Sequence, residues 1–140
     1  GISQSEVSHS LRRLYNAQLL RSPMGEPNRK NSLEFFLFGL KYVFPAVLGP
    51  IVRGMSTAHS SEPMKTHFIA SENDKMVWPS DVGDERGQSI SPLYPSVPFA
   101  AARDNSLKEF LALLDSIRIG RVREQKYACR ELEKRILGSR

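Results

Sequence analysis

One cysteine in 140 residues, Cys129, excludes an internal disulfide and any cysteine-rich zinc site, and a free thiol fits a reducing cytoplasm. Histidine is almost as scarce. His9, His59 and His67 are the only three, no pair has the short spacing that sets two ligands on one helical face, and no metal site is expected. No secretory leader is visible at the start. The most apolar run, Leu33 to Phe44, is interrupted by Glu34 and Lys41 and falls short of the ~20 residues of a spanning helix, so it reads as core and no membrane partner is expected. Phosphate-binding signatures are missing too, because Gly83-Asp-Glu-Arg-Gly87 lacks the Lys-Ser/Thr of a P-loop, and no cofactor is expected. Ser56 and His59 lie close in sequence, but no Gly-x-Ser-x-Gly elbow frames them. Their segment reads as a turn whose hydroxyls satisfy backbone groups, and the chain is not expected to be an enzyme.

What remains is globular in composition, 40% hydrophobic and 25% charged, enough for one ordinary domain or two very small ones. A net charge of +5 and a pI near 9.6 allow a polyanionic partner. The charge is unevenly placed. Residues 1 to 60 carry seven Lys/Arg against three acids, residues 61 to 100 three against six, and residues 101 to 140 ten against six, so basic ends flank an acidic middle.

The opening segment, Gly1 to Leu20, is rich in chemistry. Ser3 followed by Glu6 matches the Ser-x-x-Glu capping box, which predicts a helix from about Gln4. Val7, Leu11 and Leu14 then recur at helical spacing as a stripe expected to face inward. The opposite face suits DNA. Gln4, Ser5, Ser8 and His9, just after Ser3, can read base edges from the first turns, and Arg12 and Arg13 can clamp the backbone. A capped amphipathic helix with a solvated charged face is the plain alternative, yet the Gly turn, the box and the polar face agree with one another.

Gly1-Ile-Ser-Gln-Ser-Glu-Val-Ser-His-Ser-Leu-Arg-Arg-Leu-Tyr-Asn-Ala-Gln-Leu-Leu20 resembles the turn, recognition helix and following strand start of bacterial winged helix-turn-helix regulators, broadly the MarR type. The resemblance covers about 20 of the 140 residues and implies double-stranded DNA as partner, a homodimer, and a chain that is the C-terminal part of a longer regulator. After Leu20, Arg21 to Ser32 reads as a turn-rich loop without strand alternation, from which Arg29 and Lys30 can touch phosphate.

A second helix is expected from Ser32 to Phe44, ended by Pro45 and too aromatic for one buried side. Ala46 to Pro98 reads as loops with a few short strands or helical turns, anchored by Trp78 and closing in an extended Pro-rich spacer at Tyr94 to Pro98. Ser106-x-x-Glu109 predicts another capped helix, which Gly120 should end or kink, followed by a helix from about Arg121 to Leu137. Phe36, Leu40, Leu111, Leu114, Leu132 and Ile136 are the candidate packing or dimer residues.

The expected fold is therefore mainly α within the α+β class. A winged-helix-related part with an aromatic helix spans 1–45, an irregular middle 46–104, and a C-terminal helical pair 105–140. The expected function is sequence-specific transcriptional regulation by the helix Gln4 to Arg13. A protein-interaction or antitoxin-like adaptor with a protein partner is the alternative.

Overall fold

The computed structural model describes residues 2–69 and 71–138, so the turn expected at Gly1 lies outside the described residues. Helix α1 (Gln4–Asn16) starts where the cap predicts, with the Ser3 hydroxyl accepting from the Glu6 amide at 3.1 Å. Its end is a Schellman motif: Gln18 takes a left-handed φ of 65°, its N–H bonds the Tyr15 carbonyl, and the Leu19 N–H reaches back to Leu14.

The loop expected after Leu20 is a small antiparallel hairpin. Leu20 bridges Pro27, the Arg21 amide donates to Glu26 at 2.7 Å, and the Asn28 amide donates to Leu19 at 2.9 Å. Its tip turns at Gly25, whose φ of 105° disfavours a side chain. Periodicity could not signal a ladder of this length, since it takes four or more residues to show alternation.

The aromatic segment begins earlier than expected and breaks in the middle. Asn28 caps α2 (Arg29–Phe38) by accepting from the Asn31 amide, Gly39 interrupts the helix, and α3 (Leu40–Val43) stops before Pro45. Ser32, expected at the helix start, instead donates to the Leu19 carbonyl and ties α2 to the end of α1.

The middle segment holds all three named strands. β1 (Leu48–Ser56) runs antiparallel to β3 (Glu85–Ile90) and, at its far end, to β2 (Met76–Pro79), while β2 and β3 meet in parallel over two residues to close a very small barrel. Closure depends on glycine. A Cβ on Gly54 would overlap the Trp78 carbonyl, and one on Gly83 would overlap the backbone of Gly54 itself. The short α4 (Met64–His67) lies between β1 and β2.

The stretch Tyr94 to Pro98, expected to be an extended spacer, instead bends and turns at 94–96 and runs into helix α5 (Val97–Arg103), with Pro98 in its first turn, where a missing N–H costs nothing. The next cap is Asp104, which accepts from the Leu107 amide and starts α6 (Asn105–Ile119) two residues before the position that Ser106 marks. Gly120 ends α6, because a Cβ there would collide with the Ser116 carbonyl, and α7 (Val122–Leu137) folds back along it.

One core joins α2, α3, α4, α6 and α7 through Leu33, Leu40, Met64, Leu113, Leu114 and Leu132, with Phe36, Leu111 and Ile136 packed against it. A second core sits between α6, α5 and the sheet around Trp78, Ile90, Val97 and Ala101. The fold is mainly helical within the α+β class, and α6 is its axis, buried on both sides. All six candidate packing residues thus meet inside one chain. No described helix is long and apolar enough to cross a membrane.

Candidate nucleic-acid interface

Helix α1 stands apart from both cores, with no fully buried residue along its 13 positions. Ser5, Ser8, His9 and Arg12 fall at i, i+3, i+4 and i+7, so they share one face, with Gln4 and Arg13 at its borders. All six side chains are exposed. Arg13 donates to the Ser10 hydroxyl at 3.1 Å, which aligns its guanidinium along the helix. Ser3 is spent on the cap and positions the helix rather than reaching outward.

The apolar stripe departs from expectation. Val7 is 44% and Leu14 39% exposed, so the stripe does not face a core among the described residues. Only its C-terminal end is held, by Leu11 packed near Gly25 of the hairpin and by the bonds from Asn31 and Ser32 to the Gln18 and Leu19 carbonyls.

Arg29 and Lys30 lie in the first turn of α2 rather than on a loop. The Arg29 guanidinium donates to the Ile136 carbonyl at 3.1 Å, closing the last turn of α7, while Lys30 is exposed. Residues 2 to 30 together carry five Lys/Arg against two acids, a basic stretch in which Arg12, Arg13, Arg21 and Lys30 are all exposed.

A buried polar cluster lies elsewhere, and sequence reasoning missed it. Asp115, 1% exposed on α6, accepts from Thr57 Oγ1 at 2.7 Å and Trp78 Nε1 at 2.8 Å on one oxygen and from Arg118 Nη1 at 2.7 Å on the other. Arg118 also donates to the carbonyls of Phe44, Pro45 and Ser91, joining α6 to the chain on either side of the sheet. Burial raises the Asp115 pKa above its usual 3.8, against the opposing pull of Thr57, Arg118 and Trp78. With both oxygens engaged, the carboxylate holds the layers together. An Asp-x-x-Arg pair on an amphipathic helix signals this in sequence only once the helix is known to be buried on two faces.

The Ser-His segment resolves into local bonding. Thr57 is bound to Asp115, the Ser60 hydroxyl accepts from the Met76 amide at 2.9 Å, and His59 lies against the Asp74 carbonyl. Among the described residues, no hydrogen bond joins a serine to a histidine, and no group of three His, Cys, Asp or Glu side chains is placed to hold a metal ion.

An apolar groove of about 590 Å³ runs between the end of α1 and the α2–α3 junction, walled by Ala17, Leu19, Phe35 and Phe38 with Glu34 at its side. A smaller hollow of about 350 Å³ lies between α4 and the sheet, lined by Ser56, Lys65, Phe68 and Val77. Compared with family models, curated proteins and solved structures, the chain matches none.

Proposed function

We propose that this chain is the DNA-reading part of a winged-helix-related transcriptional regulator, acting in the cytoplasm as a dimer. Gln4, Ser5, Ser8 and His9 read base edges in a major groove, and Arg12 and Arg13 clamp the flanking phosphates. The observation that carries this reading is the order of elements: a free-standing polar helix followed directly by a hairpin, with Arg21 and Lys30 exposed after it. The hairpin adds support that the residues after Leu20 did not offer by themselves. Major-groove entry needs a helix unencumbered along one side, and α1 has that freedom.

Fluorescence anisotropy on the protein's own promoter and on scrambled DNA, across a salt series, tests the proposal. Binding with a steep salt slope and a promoter preference supports it, and absence of both at moderate salt overturns it. The alternative, an adaptor for a protein partner, draws on the exposed apolar side chains of α3 and β1 and predicts affinity insensitive to salt.

A further inference from the structure

The hollow of about 350 Å³ between α4 and the sheet adjoins a second one of about 210 Å³ that reaches the first turn of α6, and Ser56, Ser60 and Lys65 line both. Together they have the size of a small-molecule site, ~300–1,000 Å³. Their polar side holds hydrogen-bonding capacity that the fold leaves unused. Ser61 is 5% exposed and its hydroxyl makes no hydrogen bond among the described residues, yet no buried side-chain polar atom there is unsatisfied, so the hydroxyl opens into the smaller hollow. The Ser60 hydroxyl accepts from the Met76 amide at 2.9 Å and keeps its own proton to donate. Ser56, Lys65 and Lys108 form no side-chain hydrogen bond or ion pair among the described residues.

The acids around the paired hollow are engaged elsewhere. Glu85 binds Lys75 at 3.1 Å, Glu109 binds Arg135 at 2.8 Å, and Glu62 accepts from the Thr66 hydroxyl. Counting Arg135, four cations stand against three acids, and Lys65 and Lys108 carry the excess. In the larger hollow the wall is apolar, with Val77 buried, Phe68 half-buried and Ile69 fully exposed at the rim.

From this we infer that the paired hollow binds a small phosphate monoester whose ester group is apolar. The phosphate sits among the three serine hydroxyls and the ammonium groups of Lys65 and Lys108, and the apolar group lies against Phe68, Ile69 and Val77. Rotatable hydroxyls and compact ammonium groups suit a tetrahedral phosphate. A planar carboxylate is matched best by a guanidinium fork, and no arginine lines either hollow. No residue of α1 lines them either, so the inference does not rest on DNA binding.

Amide NMR titration of the whole 140-residue chain with phenyl phosphate tests the inference. Saturable shifts are expected at residues 56–68 and 105–108, with a dissociation constant of about 1 mM or below. Inorganic phosphate, which lacks the apolar group, and phenylacetate, which carries a planar carboxylate, should each bind about tenfold more weakly. Lys65→Met should weaken phenyl phosphate about tenfold and Ser61→Ala about fivefold, both with native circular dichroism, while Lys126→Met, outside both hollows, should leave affinity unchanged. Absence of a saturable shift up to about 20 mM overturns the inference. So does affinity for inorganic phosphate or phenylacetate equal to that for phenyl phosphate, a shift confined to residues 2–30, or a Lys65→Met or Ser61→Ala variant that binds as tightly as the wild type. A chain that ignores DNA refutes the proposed function and leaves this site standing.

Discussion

The indole N–H of Trp78 donates to Asp115 at 2.8 Å, and both residues are 1% exposed. A single hydrogen bond therefore links β2 to the middle of α6 inside the molecule. The same carboxylate holds Arg118 and Thr57, so its removal leaves a buried guanidinium and two buried donors without their acceptor. Asp115→Ala should cost about 3–5 kcal/mol, and Trp78→Phe about 1–3 kcal/mol by leaving one acceptor site empty. Urea unfolding followed by circular dichroism gives both values. A loss below about 1 kcal/mol for Asp115→Ala would show that the network is not a structural hub.

The pH dependence of stability carries the sign of the same group. Burial raises the folded-state pKa of Asp115 above 3.8, so the folded protein holds that proton more tightly than the unfolded chain. Its contribution is complete below 3.8 and is lost as pH rises from there through the folded-state pKa. Subtracting the stability of Asp115→Asn from that of the wild type, point by point through the acid range, should leave a difference that falls with rising pH. A difference rising with pH would mean that Arg118 and the two hydrogen bonds outweigh burial.

On α1, Arg12→Ala should weaken promoter binding and lower the salt slope by about one, with no change in melting temperature, because Arg12 touches neither core. Ser3→Ala acts differently. It should cost about 1 kcal/mol of local helix stability through the lost cap, and weaken DNA binding by letting the first turn fray. Amide exchange over residues 4–8 together with anisotropy separates the two. Equal exchange in wild type and Ser3→Ala would remove the cap from the argument.

Arg29 and Lys30 are neighbours with divergent expected roles. Arg29→Ala frees the Ile136 carbonyl at the end of α7 and should lower stability by about 0.5–1.5 kcal/mol with little effect on DNA affinity. Lys30→Ala should do the reverse, lowering affinity uniformly on specific and scrambled DNA at constant stability. If both variants changed affinity equally, the bond to Ile136 would not govern Arg29.

Helix existence was legible in the local sequence, because caps and periodicity act over three or four residues. Ser3, the Val7-Leu11-Leu14 spacing and Gly120 announced helices α1, α6 and α7, and the candidate packing residues do converge in one core. Ser106 failed as a cap marker because Asp104 stands two residues earlier and offers a stronger acceptor. The continuous aromatic helix was lost at Gly39, where local glycine chemistry outweighed a strong apolar pattern.

The inward direction of the α1 stripe was not decided locally. Periodicity establishes that a helix has an apolar face, but whether another element lies over that face is a tertiary matter, and Val7 and Leu14 remain exposed. Much the same holds for the sheet. Gly54 lies more than twenty residues from Trp78 and Gly83, and their close approach depends on contacts that no spacing rule contains. The sequence by itself determined that helices form at α1, α6 and α7, where α1 is capped, and which face of α1 carries its polar and basic side chains, since these follow from propensity and spacing within a few turns. Only the tertiary structure decided that Asp115 is buried with Arg118, that Arg29 closes α7, and that the apolar side chains of Phe38, Tyr42, Phe44 and Ile51 stay exposed, since each depends on residues distant in sequence excluding or admitting water.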